Sequence, residues 1–182
     1  MRAGEARYQH ELRSIDLALR FIRLEARTST IRAFTGLSYD RIRKLSRRYA
    51  RSSYRHRGKS PQQAGYFNRS AKVRHQASFL AGLFYCFGLL LDEPSTEAAA
   101  ALPGLDNGER LLDVYDYYQK VVVPPTISFE YAIFLARCLL RGDRLRMVCC
   151  ADCDILLVTE SLPQGPRRCN YCEPAHRRQR AS

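Results

Sequence analysis

Cys150-Ala-Asp-Cys153 is followed, after fifteen residues, by Cys169-Asn-Tyr-Cys172. Within each Cys-x-x-Cys the loop is short enough for both sulfurs to meet one tetrahedral ion at ~2.3 Å. The interval between the pairs is close to the roughly 15–20 residues of four-thiolate zinc sites. A redox dithiol occurs once, at a helix start after a strand, and two pairs at this interval argue against it. Four thiolates also close the coordination shell, whereas a catalytic zinc keeps one position open. The expectation is therefore one structural Zn2+ per chain on Cys150, Cys153, Cys169 and Cys172. Cys149 is a competing ligand, but its spacing to Cys153 is looser. Asp154 and Glu173 stand where such knuckles often carry glycine. Arg144–Cys149 and Ile155–Thr159 read as short strands flanking the first pair. Together these elements predict a small zinc ribbon over residues 143–174.

Upstream the pattern is helical. Gly142 suits a helix C-terminal cap. Residues 128–140 and 109–123 read as helices split by Pro124-Pro125, and 92–108 as a loop. Residues 70–91 read as a helix ending in an apolar stretch that must be buried. Cys86 and Cys138 lie on apolar helical segments and are expected to be buried thiols. His75 is expected to serve as a hydrogen-bonding structural residue. In residues 11–26, Leu12, Ile15, Leu19 and Ile22 share one helical face, while Leu17, Phe21 and Leu24 lie almost opposite. Both faces need covering, one by the domain's own core and the other by that core or by a second chain.

Between these helices lies a helix-turn-helix pattern. Residues 28–34 form a short helix, Thr35-Gly36-Leu37-Ser38 a tight turn, and Ser38 an N-cap. Ile42, Leu45 and Tyr49 form an inward stripe. Arg41, Arg43, Lys44, Arg47, Arg48 and Arg51 follow with no acidic residue among them. A solvated helix face ordinarily mixes signs for i,i+4 pairing, so these six are candidate DNA-contacting residues. Residues 52–65 read as a polar, basic arm.

The net charge is +12. Residues 1–60 hold 16 Lys/Arg against 5 Asp/Glu, and the middle of the chain is slightly acidic. A polyanionic partner is implied. Asp113 and Asp116, at helical spacing, read as a solvated face. No apolar leader opens the chain, and the apolar run 77–91 is shorter than the ~20 residues of a membrane span. Reduced, metal-binding cysteines fit a cytoplasmic protein without membrane contact. No residue constellation suggests an enzyme.

The order of these segments resembles the family of the bacterial flagellar transcriptional activator subunit FlhC. Carrying the resemblance are Ile15-Asp-Leu-Ala-Leu-Arg-Phe-Ile-Arg-Leu-Glu-Ala-Arg27, Thr35-Gly-Leu-Ser-Tyr-Asp-Arg-Ile-Arg-Lys-Leu45, Gly58-Lys-Ser-Pro61, Ala77-Ser-Phe79 and the closing Cys169-Asn-Tyr-Cys172-Glu-Pro174. It spans roughly residues 11–174. The chain departs from the family at Gly65-Tyr-Phe67 and has no tryptophan, as a divergent paralogue would. The resemblance implies a mostly helical protein with a C-terminal zinc region. It also implies an FlhD-like helical partner in a hetero-oligomer, binding to double-stranded DNA at flagellar operon promoters, and recruitment of RNA polymerase.

The expected architecture is mainly α: a helical DNA-binding and partner-binding domain with a helix-turn-helix-like element (1–142), a zinc ribbon (143–174) and a basic tail (175–182). The expected function is transcription activation. The alternative is a zinc-ribbon protein-interaction adaptor without specific DNA binding.

Overall fold

The computed structural model describes residues 3–49, 61–90, 102–162 and 167–173. Arg51, the arm at 52–60 and the tail at 175–182 lie outside them. The described chain is mainly helical: α1 (Ala3–Arg23), α2 (Thr28–Thr35), α3 (Tyr39–Tyr49), a 3-10 turn (Ala64–Asn68), α4 (Ala71–Cys86), α5 (Leu105–Val121) and α6 (Phe129–Arg141). An antiparallel hairpin of β1 (Leu145–Cys149) and β2 (Leu156–Glu160) follows, with Leu145 opposite Glu160 and Cys149 opposite Leu156.

Local chemistry explains the boundaries. α1 starts earlier than the apolar periodicity indicates and closes where Glu25 takes φ 57°. There the Ala26 amide donates to the Phe21 carbonyl at 2.9 Å and the Glu25 amide to that of Ile22 at 3.0 Å. That pairing satisfies carbonyls at a helix C-terminus when the next residue turns left-handed. Gly36 (φ 69°) ends α2 in the same conformation, which a residue without Cβ enters freely. The Ser70 hydroxyl accepts from the Val73 amide and starts α4.

The core is built on aromatic contacts between distant segments. Phe21 meets Phe34 edge-on at 5.4 Å and Phe129 at 4.9 Å, and Phe129 meets Tyr115 at 5.1 Å. Such edge-to-face contacts stabilise by about 0.5–1.5 kcal/mol beyond burial. In the departing segment Gly65-Tyr-Phe67, Phe67 is fully buried, and Tyr66 stacks on Tyr131 at 3.7 Å. Leu145 and Val158 belong to the same core, so the hairpin is packed into the helical body.

One polar node lies inside. The Gln76 Oε1 accepts from the Tyr118 hydroxyl, the Thr126 amide (2.8 Å) and the Thr126 hydroxyl (2.7 Å). Its Nε2 donates to the Pro124 carbonyl at 3.2 Å. The connection between α5 and α6 is thereby tied to α4, and the buried amide is satisfied at both ends.

Burial corrects several expectations. On α1 the core face is Ser14, Leu17, Ala18, Phe21 and Ile22, whereas Ile15 and Leu19 are half-buried and Leu12 is 43% exposed. Tyr49 is exposed because α3 is held to α1 and α2 mainly at Ile42 and Leu45, nearer its start. Cys138 is buried as expected, but Cys86 is exposed. Phe84 points into the core, and Cys86 sits roughly 200° further round the same helix. His75 is exposed and meets the Tyr171 ring edge-on at 6.2 Å. Asp113 and Asp116 are paired with Arg20, at 3.5 and 3.2 Å.

α5 packs closely on α1 and α2 at Gly108, where an added Cβ would lie 2.7 Å from Leu17 Cδ2 and 3.3 Å from Phe34 Cδ1. Gly108→Val is expected to lower stability by about 1–3 kcal/mol through overpacking. The urea unfolding midpoint measures the effect, and an unchanged midpoint would remove Gly108 as a packing constraint.

Candidate metal centre

The strands pack on the helical core, but the knuckles beyond them have only a small apolar cluster: Cys150, Leu157 and Cys169, with Val148 and Cys172 against them. So little buried surface does not hold a segment in place by itself. Backbone hydrogen bonds supply the local shape. The Cys150 amide donates to the Ile155 carbonyl at 2.9 Å, and the Asp154 amide to the Cys150 carbonyl at 3.0 Å, closing the first knuckle. Asp154 adopts φ 57°, so the position where glycine was missing from the sequence is indeed left-handed. Aspartate is among the few residues with a side chain that enter that region readily. In the second knuckle the Glu173 amide donates to the Cys169 carbonyl at 3.0 Å, and Glu173 has no positive φ. The two knuckles meet where the Ala151 amide donates to the Arg167 carbonyl (2.9 Å) and Arg168 pairs with Asp152 (2.8 Å).

These turns bring the sulfurs of Cys150, Cys153, Cys169 and Cys172 within 4.8 Å of one another. The Cys153 and Cys169 sulfurs are 3.8 Å apart. Two sulfurs bound at ~2.3 Å to one tetrahedral ion are separated by ~3.8 Å, so the cluster fits a metal ion of that size. Cys149 lies outside the cluster at the exposed end of β1, and Cys150, the neighbour with the tighter spacing, lies within it.

The protein also prepares the sulfurs for charge. The Cys169 amide donates to Cys150 Sγ at 3.3 Å, and the Cys172 amide to Cys169 Sγ at 3.4 Å. Burial pushes the Cys150 thiol up, but amide donors from Asp152, Cys169 and Cys153 outweigh it and bring it down to about 6. The Cys172 thiol is pushed up, foremost by its hydrogen bond with Cys169. The cluster thus favours a thiolate at Cys150 and a retained proton at Cys172, which a bound cation would displace.

Around this centre the packing is specific. Ser78 Oγ on α4 accepts from the Val158 amide at 3.0 Å while donating to the Arg74 carbonyl at 2.9 Å. Asn170, between the last two cysteines, donates from Nδ2 to the Ala71 carbonyl at 2.8 Å. Sequence patterning singled out neither residue, because serine and asparagine at those positions look like ordinary polar surface.

The basic residues of the helix-turn-helix unit lie elsewhere, on α3. Thr35 Oγ1 donates to the Ile31 carbonyl (2.7 Å) and accepts from the Leu37 amide (3.3 Å), bracing the turn before it. Ser38 Oγ accepts from the Arg41 amide at 3.3 Å and so caps the helix as expected. Arg41, Arg43, Lys44, Arg47 and Arg48 are all exposed. Arg41 is paired with Glu11 of α1 at 2.6 Å, and Arg48 lies over the Tyr49 ring at 5.6 Å. Arg43, Lys44 and Arg47 have no acidic partner among the described residues. Arg32, which precedes the turn, packs over the Tyr39 ring at 4.7 Å. No described helix is long and apolar enough to cross a membrane.

Cys169→Ser is expected to abolish stoichiometric metal binding and to lower the melting temperature, with loss of folded yield. Metal content of the purified protein and thermal unfolding with and without chelator measure this, and full stability in chelator would exclude a structural metal. Asp154→Gly is expected to retain metal and to match or exceed the parent stability, since glycine enters the left-handed region without steric cost. Asp154→Val is expected to lower stability by about 1–2 kcal/mol.

No family model matches this chain, and no curated protein matches it.

Proposed function

We propose that the chain is a DNA-binding subunit of a transcription activator, stabilised by one structural Zn2+ on Cys150, Cys153, Cys169 and Cys172. The observation that carries this reading is the composition of α3. Arg43, Lys44 and Arg47 project from a capped helix behind a glycine turn, unmatched by acidic groups among the described residues. On the neighbouring α1 two arginines are neutralised: Arg13 by Asp106 and Glu109, Arg20 by Asp113 and Asp116. On α3 three cations without an acidic partner among the described residues fall within five positions, on the helix whose motif suits a DNA groove. Most of them would contact phosphates and supply affinity; one or two would read guanine edges. Arg41, held by Glu11, would join them only by exchanging partners.

Zinc is favoured over other ions by the all-thiolate donor set and its tetrahedral spacing. Its role is structural, since four thiolates leave no position for a substrate or water.

The resemblance to FlhC, with its implied FlhD-like partner, flagellar promoters and RNA polymerase, gives the reading its biological form: a cytoplasmic hetero-oligomer rather than an enzyme. Support for a helical partner comes from α1. Tyr8 (60% exposed) and Leu12 share a face with the half-buried Ile15 and Leu19, at i, i+4, i+7 and i+11. An apolar stripe of that periodicity suits a second helix.

A variant carrying Arg43→Gln, Lys44→Gln and Arg47→Gln is expected to stay folded and to lose tenfold or more in DNA affinity. The slope of log K against log salt should become shallower by about 2–3, one unit per lost phosphate contact. Footprinting on flagellar promoter DNA, with an FlhD-like protein co-expressed, tests the site. Affinity indifferent to salt would defeat the DNA reading. Capture of the helical partner without DNA retention would favour the adaptor.

A further inference from the structure

A groove of about 340 Å³ runs along α4 where the hairpin and second knuckle lean on it. Its size falls at the small end of ligand sites, which span roughly 300–1,000 Å³. The floor is one stripe of α4, containing Phe79, Gly82 and Leu83. Ile155, Leu157 and Tyr171 contribute the opposite wall. Arg74 and His75 lie at the end towards the start of α4, and Cys86 at the other, ~18 Å away along the helix.

Two observations single this groove out. The first is Gly82, which sits within α4, where glycine costs helix stability relative to alanine. A Cβ at Gly82 would have no atom of the described residues within 4 Å, so none of them demands a glycine there. Its effect is to leave the middle of the groove open. The second is Arg74. Its Nε is buried and without a hydrogen-bond partner among the described residues. A buried guanidinium donor left unmatched costs free energy unless something accepts from it. Guanidinium groups match carboxylates through paired N–H donors.

We propose that the groove binds a small amphipathic monocarboxylate, an aliphatic or aryl acid whose apolar body lies over Gly82 and whose carboxylate meets Arg74. The apolar floor and wall remove the body from water, and the lone guanidinium suits one head group of single charge better than a polyphosphate. Such a ligand touches α4 and the Ile155–Leu157 and Tyr171 segments at once. It therefore bridges the helical body and the metal-bearing knuckles. This inference is independent of DNA contact, which involves α3.

Isothermal titration of the zinc-loaded 182-residue chain with decanoate, below its micelle concentration and without DNA, tests the site. One saturable site per chain is expected, with decanol binding at least tenfold more weakly. Gly82→Leu, which places a side chain in the open middle, is expected to abolish binding while metal content and helical circular dichroism persist. Arg74→Gln is expected to weaken decanoate tenfold or more and to leave decanol unchanged. If Gly82→Leu fails to fold, Arg74→Gln decides alone. Absence of a saturable site in the parent chain overturns the proposal, as does equal affinity for decanoate and decanol. Parent-like decanoate binding by Arg74→Gln does so too.

Discussion

The packing of the β-hairpin against α4 is the contact on which the carboxyl-terminal third depends. Val158 and Leu145 enter the helical core, Ser78 of α4 takes up the Val158 amide, and Asn170 reaches back to the Ala71 carbonyl. A two-stranded hairpin is marginal by itself. Here one of its faces is covered by a helix, and its far end is drawn together by four sulfurs. The two devices act on different parts of the segment. Burial holds the strands, while the cysteine cluster holds the knuckles, whose own apolar cluster is small. A metal ion held there would link the two pairs across 16 to 22 positions of sequence, and so would restrict the unfolded chain as well as hold the folded one.

Charge is divided in a comparable way. The amino-terminal helices carry a large excess of arginine, and two of these arginines are matched within the fold by α5. Arg13 meets Asp106 and Glu109, and Arg20 meets Asp113 and Asp116. Exposed pairs of this kind contribute little stability, typically about 0–1 kcal/mol each. Their larger consequence is electrostatic. They offset the charge of Arg13 and Arg20, whereas Arg43, Lys44 and Arg47 of α3 have no acidic partner among the described residues. Acidic residues from the middle of the chain thus supply counter-charge to two arginines near its beginning.

Much of this arrangement was legible in the residues. The cysteine cluster was readable because two short cysteine spacings encode local geometry, and the inclusion of Cys150 rather than Cys149 followed from spacing. The glycine turn at Gly36, the Ser38 cap and the Gly142 cap were readable for the same reason: each depends on neighbours within a few residues. Burial was less legible. The 11–26 segment offers two apolar faces, and periodicity cannot say which one meets the core. The structure chooses Leu17, Phe21 and Ile22, because α2 and α5 lie on that side, as Phe34 and Gly108 show. Cys86 and Tyr49 were misjudged on the same grounds: each continues an apolar stretch past the point where a neighbouring element covers it.

The sequence by itself determined the local devices: caps, left-handed turns, helix periodicity, knuckle spacing and the run of basic residues on α3. These follow from dihedral preference and from side chains reaching only a few residues along the chain. Only the tertiary structure decided which arginines are neutralised, that Gln76 ties the α5–α6 connection to α4, and that α4 and the second knuckle enclose a groove over Gly82. Those outcomes depend on which segments far apart in sequence come to lie side by side. No spacing along the chain encodes that proximity.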